Sequence, residues 1–351
     1  MNTARDRAAG CPAGKKKRAR LSNGVKLIIL GAMALAALAC FLLIGLNFSK
    51  ASFVVYSMKI RLPKLIAMLI AAFAIGAASI VFQTIINNRI VTPCLLGMNA
   101  LYTLTHVLLV FIVGTGSILV ANGNIAFFID LVIMVAVAFV IYGFLFKKTK
   151  YNVLYILLIG TVLASLFSSI QSTLVMIMDP TDYEITLQSL VASFENIDPS
   201  IMIAAVCLLG LAAALLCKDI RVLDVMSLGK AQAINLGVNY DRSVNRLLLG
   251  VTAYIAIATA MIGPISFLGL IIANLARELL RTFRHWQLIL GSALFGVIVL
   301  AFGELLVEQV FTYSVPISVF ISLIGGAYFL YLILRQPKEG SSSKRRAKER
   351  G

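Results

Sequence analysis

The chain has 351 residues, 60% of them hydrophobic and 13% charged, with a mean hydropathy of +0.96. That composition excludes an ordinary soluble domain and indicates a polytopic membrane protein. The formal charge of +16 does not point to nucleic acid, because the cations gather at the two ends and in short connections, with no interleaved aromatic platform. They read instead as topology signals and as attraction to anionic lipid.

In chain order, a basic cytoplasmic tail (1–26), with Arg5, Arg7, Lys15, Lys16, Lys17, Arg18, Arg20 and Lys26, precedes a first apolar run at 27–46. The tail, the run and "ALAC" at 37–40 superficially resemble a cleavable signal or a lipoprotein site. The run is nevertheless long enough to span, and many more follow. Further apolar runs occupy 65–86, 95–118, 125–146, 153–178, 201–217, 246–272, 286–303 and 315–334. A second basic tail (336–351) follows Arg335 and reads as solvated and disordered. With both ends cationic, both should be cytoplasmic, which demands an even number of crossings. The extra crossing is placed at "GPISF" (263–267), where proline removes a helix donor and glycine permits a turn, giving segments at about 246–262 and 265–280. The expectation is an all-α protein with ten transmembrane helices in a membrane domain spanning 27–335.

With ten spans the connections sort by charge. Lys147, Lys148 and Lys150 face inward, as do Lys218, Arg221, Lys230, Arg242 and Arg246, and Arg277, Arg281 and Arg284. The stretch 179–198 faces outward with Asp179, Asp182, Glu184, Glu195 and Asp198 and no cation. Lys50, Lys59, Arg61 and Lys64 break the rule by facing outward.

Several chemistries lack their residues. No charged residue sits near the middle of a span; Asp130 lies toward the outer end of the fourth, so the buried carboxylate expected of an ion-coupled secondary carrier is missing. His106 and His285 are solitary in the sequence and no HExxH occurs, so a structural reading is favoured for both and an intramembrane hydrolase has no constellation. "GTGS" (114–117) and "LGK" (228–230) are not nucleotide loops, so the chain cannot hydrolyse ATP by itself. Cys11, Cys40, Cys94, Cys207 and Cys217 form no CxxC pair and read as packing residues.

Three stretches carry a resemblance: "RLPKLIAMLIAAFAIGAASIVFQTIINNRIVTPCLLG" (61–97), "LGKAQAINLGVNYDRSVNRLLL" (228–249) and "GPISFLGLIIANLARELLRTFRHWQLILGSALFG" (263–296). With "VPISVFISLIGGAYFLYLILR" (315–335), they resemble the FecCD-type permease subunit of bacterial iron–siderophore and cobalamin importers. "TYSVPISVFISLIGG" and "VLDVMSLGKAQAINLGV" look most like the second permease of catecholate-type iron uptake systems. The resemblance implies a type II ATP-binding-cassette importer permease in the bacterial cytoplasmic membrane. It also implies a paired permease (a heterodimer favoured over a homodimer), two separate ATPase subunits and an extracytoplasmic binding protein. Within the chain it implies an inverted repeat of the two halves, although no repeat is visible by eye. No cofactor is implied, ATP being used by the partner ATPase; cobalamin or haem is the alternative cargo.

The resemblance also assigns residues. The connection after the sixth span becomes the ATPase coupling segment, where Leu228, Gly229, Ala231, Leu236, Gly237 and Val238 match the family's pattern, alongside Gln232. Lys230 departs from it, an acidic residue being common there. Arg61 and Lys64 in "RLPK" match outward cations that receive acidic residues of the binding protein, while Glu308 stands where a third cation is expected, so the docking surface should be mixed in sign. The alternative is that the cations snorkel to lipid phosphates. Ser168, Ser169, Gln171, Ser172 and Thr173 in "FSSIQST" could wall a wet pathway or bond to neighbouring helices. The cytoplasmic gate falls near Thr149 to Asn152. Gly76, Gly97, Gly263, Gly325 and Gly326 are positions for close helix approach.

Overall fold

Within a bilayer, backbone amides and carbonyls must be satisfied inside the segment that carries them, which drives long apolar runs into helices. The computed structural model describes residues 22–45, 51–148, 153–195 and 197–335, and every regular element among them is helical. In order these are α1 (Asn23–Leu43), α2 (Ala51–Ile86), α3 (Met98–Val113), α4 (Ile118–Ala121), α5 (Gly123–Lys148), α6 (Val153–Ile177) and α7 (Pro180–Leu190). They continue as α8 (Pro199–Met226), α9 (Lys230–Asn235), α10 (Tyr240–Ile262), α11 (Leu268–Leu280), α12 (His285–Gln309) and α13 (Ile317–Arg335), with a 3-10 turn at Pro93–Leu96 before α3. Eight described helices are long and apolar enough to cross a membrane, whereas α3 has 16 residues and α11 has 13.

The break at 263–267 separates α10 from α11, where the sequence places it. Two other boundaries differ from expectation. α2 starts at Ala51 rather than near 65 and runs through Pro63 for 36 residues, about 54 Å at the α-helical rise, so Lys59, Arg61 and Lys64 ride on a helix rather than in a connection. Proline removes one backbone donor, and the helix continues past it. The acidic stretch 179–198 contains α7, whose start is set by Asp179 and Pro180, as Asp198 and Pro199 set that of α8. Each aspartate accepts a hydrogen bond at 2.9 Å from the amide two residues on. The neighbouring Thr181 and Ser200 hydroxyls, then those amides, hold both carboxyls below the ordinary carboxylate range.

The core is centred on α2, which packs most extensively on α12 and then on α10. Small residues make this possible. Ala67, Ala71, Ala72, Ala74, Ala77 and Ala78 are buried along α2. A side chain at Gly76 would meet the Ser292 hydroxyl at 2.9 Å, and one at Gly296 would meet the Ala72 Cβ at 2.8 Å. Ala72 and Gly76 on α2 thus face Ser292 and Gly296 on α12, a four-residue spacing of small residues on both helices that lets the backbones approach. Gly326, by contrast, faces open space.

Side-chain bonds show which helix termini share an end of the bundle. At one end Lys26 of α1 donates to the Leu279 carbonyl of α11 at 2.8 Å, and the last turn of α2 meets α11 and the start of α12. At the other, the end of α1, the Arg61 region of α2 and the end of α12 come together.

Candidate functional site

At that second end, α2 presents Arg61 and Lys64 on one face, three residues apart, and α12 presents Glu304 and Glu308, four apart. Helical spacing aligns the two pairs. Arg61 is ion-paired with Glu308, and its Nη1 also donates to the carbonyls of Phe41, Leu42 and Ile44 at 3.0, 3.1 and 2.6 Å. It therefore caps the C-terminal end of α1, whose last carbonyls have no helical partner. Lys64 lies 3.4 Å from Glu304 and 3.4 Å from the Tyr313 hydroxyl, with its ammonium 4.7 Å from that ring's centroid. Arg61, Lys64 and Glu304 are 7%, 6% and 3% exposed, so neither cation offers free charge at the surface. Lys59, on the same helix, is exposed. A cavity of about 400 Å³ beside the cluster is lined by Glu195, Glu304, Tyr313 and Pro316. Sequence reasoning noted Glu308 but missed that it pairs with Arg61, and missed Glu304 altogether; the i, i+4 spacing of the glutamates in "GELLVEQ" was the available signal.

Both histidines, solitary in sequence, acquire acidic partners in the fold. His106 of α3 bonds Asp130 of α5 through Nδ1 at 2.7 Å, beneath the stacked ring of Tyr102. His285 bonds Asp224, the same carboxylate accepting its backbone amide at 2.9 Å, and its Nε2 lies 3.1 Å from the Thr84 hydroxyl. Arg277 donates to that hydroxyl at 3.0 Å and to the Ile80 carbonyl at 3.2 Å. These bonds tie α2, α8, α11 and α12 together four residues ahead of Leu228.

The segment after α8 stands away from the bundle. α9 is bounded by Gly229 and Gly237, with φ of +102° and +82°. Its C-terminus closes through Gly237 N–H to the Ile234 carbonyl (2.9 Å) and Val238 N–H to the Ala233 carbonyl (3.0 Å), a left-handed turn that glycine adopts without strain. Ala233 is buried and anchors the element, while Leu228, Ile234 and Leu236 are 59%, 51% and 64% exposed. Gly229, Ala231, Gln232 and Gly237 are exposed too, and Val238 is half-buried. Lys230 bonds Asp241 at 3.2 Å and lies over the Tyr240 ring.

α6 carries most of its length on the surface. Ser168, Ser169, Ser172 and Thr173 are exposed and Gln171 is half-buried. Ser165, Ser169 and Thr173 each return a hydrogen bond to the carbonyl four residues earlier, at 3.0, 2.9 and 2.9 Å. Their donors are thereby satisfied within the helix and their oxygens remain on its open face. Thr149 and Asn152 lie outside the described residues.

Residues 25–335 match the FecCD transport family. The petrobactin import system permease protein YclO of Bacillus subtilis (strain 168) is 37% identical over 319 residues, covering 91% of this chain and 99% of that protein. The petrobactin import system permease protein FatC of Bacillus anthracis is 31% identical, over 79% of this chain and 78% of that one. The hemin transport system permease protein HmuU of Yersinia pestis is 28% identical, over 81% and 84%. Among solved structures, an ABC transporter assigned to the metal-chelate type, in an inward-facing conformation, superposes with a TM-score of 0.74 at 23% identity, over 90% of this chain and all of that one. Its fold is shared. With this match over nearly all of the described helices, the chain belongs to the FecCD transport family and is a multi-pass permease of the bacterial cytoplasmic membrane.

Proposed function

We propose that this chain is one of two permeases of an ATP-binding-cassette importer that carries a ferric siderophore from an extracytoplasmic binding protein into the cytoplasm. The iron-chelate names of its relatives support this cargo class, petrobactin among them, with haem a cargo that the same fold also serves. The chain performs no chemistry of its own; two ATPase subunits supply the energy.

The observation that carries the ATP-driven reading is α9. Exposed Leu228, Ile234 and Leu236 form an apolar knob outside the bundle, suited to a groove on a partner that moves as a rigid body. Through Asp224 and His285 the knob's base is bonded to α2 and α12, so a push on it reaches the two central helices. Since Lys230 is held by Asp241, the contact is an apolar one. Leu236→Asp should leave stability within about 0.5 kcal/mol, as for an exposed site, and abolish ATPase association in a pull-down.

Ten crossings, with α3 and α11 as the two short ones, put both tails in the cytoplasm, along with Lys26, Arg277 and His285; Arg61 and Glu308 are then outward. The open face of α6, with Ser168, Ser169, Gln171, Ser172 and Thr173, walls the pathway between the two permeases, because exposed hydroxyls gain nothing from lipid. Thr149 to Asn152 would gate its cytoplasmic end. Docking of the binding protein takes place over Arg61, Lys64 and Glu308. As both cations are already paired, an arriving carboxylate must displace Glu308 or Glu304, so docking loosens the outer seam of α2 and α12.

Mild-detergent copurification from the native membrane, read by mass spectrometry, tests the assembly. Recovery of an ATPase with a second, related permease is expected, a heterodimer being favoured by the resemblance to two-permease iron systems. An active, monodisperse chain recovered alone would overturn the importer reading.

A further inference from the structure

At the His285 end a cavity of about 750 Å³ opens between the turn after α2, the last turn of α11 and α13, with Arg89, Arg277, Arg281, Asn274, Tyr328 and Leu332 in its wall. That volume suits a small ligand. Three guanidinium groups share the space, and among the described residues none has a carboxylate within ion-pair distance. Glu278 lies on the lining without pairing to any of them. Arg89 and Arg277 line the same cavity, so their like charges oppose one another there.

The site is built rather than incidental. Arg277 is fixed by Gln83 at 3.3 Å through Nε, and by the Ile80 carbonyl and the Thr84 hydroxyl through Nη2, which leaves Nη1 without a hydrogen-bond partner among the described residues. The backbone at Arg89 is held by Gln83 and Asn274, at 3.0 and 3.1 Å through its carbonyl, so its side chain starts from a fixed point. Arg281 sits in a left-handed turn at φ +46°, closing α11, with Nε toward the Glu278 carbonyl at 3.3 Å. Guanidinium forks match the paired oxygens of a phosphate, and several together bind one where a single surface arginine does not. Beside this polar mouth the wall is apolar, with Ile90 and Leu332 and with Phe283, which is 72% exposed; Trp286, in the first turn of α12, is 50% exposed. Exposed aromatic rings at a helix end mark the headgroup level of a bilayer, where basic pockets between helices take anionic headgroups.

We infer that Arg89, Arg277 and Arg281 form a binding site for a phosphate group, at the depth of the anionic phospholipid headgroups of the inner leaflet. That depth rests on the ten-span orientation; the phosphate chemistry does not. An occupant would neutralise the arginine cluster and join α11 to α13 and to the turn after α2, stiffening the end of the bundle from which α9 projects.

The full-length chain in mild detergent is titrated with short-chain phosphatidylglycerol, short-chain phosphatidylcholine and inorganic phosphate, reading the thermal midpoint. Phosphatidylglycerol should raise the midpoint by several degrees and phosphatidylcholine should not. R89Q/R281Q should weaken the apparent affinity about tenfold, as expected for the loss of charge-assisted bonds, while R284Q, an exposed cation outside the cavity, should respond as the native chain does. Stabilisation by inorganic phosphate that is equally lost in R89Q/R281Q identifies free phosphate as the source at the same site. Equal stabilisation by the two lipids, no response to either lipid or to phosphate, or a double variant that responds fully, would overturn the site. Should the double variant fail to fold, R89Q alone carries the same test. The readout needs no partner, so its failure leaves the importer reading standing.

Discussion

The two ends of α2 carry arginine in opposite circumstances. Near its start, Arg61 and Lys64 face Glu308 and Glu304 of α12; both cations and Glu304 are buried and Glu308 is half-buried. Just past its end, Arg89 shares a cavity with Arg277 of α11, and among the described residues no carboxylate pairs with either. In the first case the neighbouring helix absorbs the charge into the fold; in the second, like charge meets like and the site stays available to a ligand. Cations of the same type are therefore held by the fold at one end, where a docking partner must displace a glutamate, and are left open to a ligand at the other, and the neighbouring helix decides which.

The largest effect is expected from Arg61→Ala. It strands the Glu308 carboxylate, two α1 carbonyls and that of Ile44 at once, and removing one member of a buried pair costs about 3–5 kcal/mol, readable as a lower thermal midpoint of the purified chain. Next, Lys64→Met or Glu304→Leu alone should cost about 2–3 kcal/mol by leaving a buried charge unmatched. The two together should be nearly neutral, since an apolar pair replaces an ionic one; a double variant as unstable as the sum of the singles would show that the pair is not coupled. Third, Gly296→Leu tests the seam that connects the two ends. A side chain there meets Ala72 at 2.8 Å, and overpacking of this kind costs about 1–3 kcal/mol. Smallest is R89Q/R281Q without ligand, expected within about 0.5 kcal/mol because exposed, unpaired cations contribute little to stability. A large loss there would erase the contrast between the ends.

Much of the helix plan was legible from hydropathy and charge. The break at 263–267 followed from one proline and one glycine, and the short exposed helix α9 lies in the glycine-flanked stretch that the resemblance had singled out. The start of α2 was not, because polar and charged residues at 57–64 interrupt the apolar run without interrupting the helix. The partners of Arg61, Lys64, His106 and His285 were also hidden, since each contact is long-range and a linear sequence shows only spacing along one helix. For Glu304 and Glu308 the four-residue spacing was a usable hint; for Asp130 and Asp224 no local signal existed. The cavity at Arg277 was out of reach for the same reason, its three arginines coming from two separate parts of the chain.

The most direct test of the importer assignment is ferric-chelate uptake into proteoliposomes that hold this chain with its second permease and ATPase, the binding protein being supplied outside. Uptake that requires ATP within the vesicle and is indifferent to an imposed proton or sodium gradient is the expected result. Uptake by the chain alone, driven by a gradient without ATP, would contradict it.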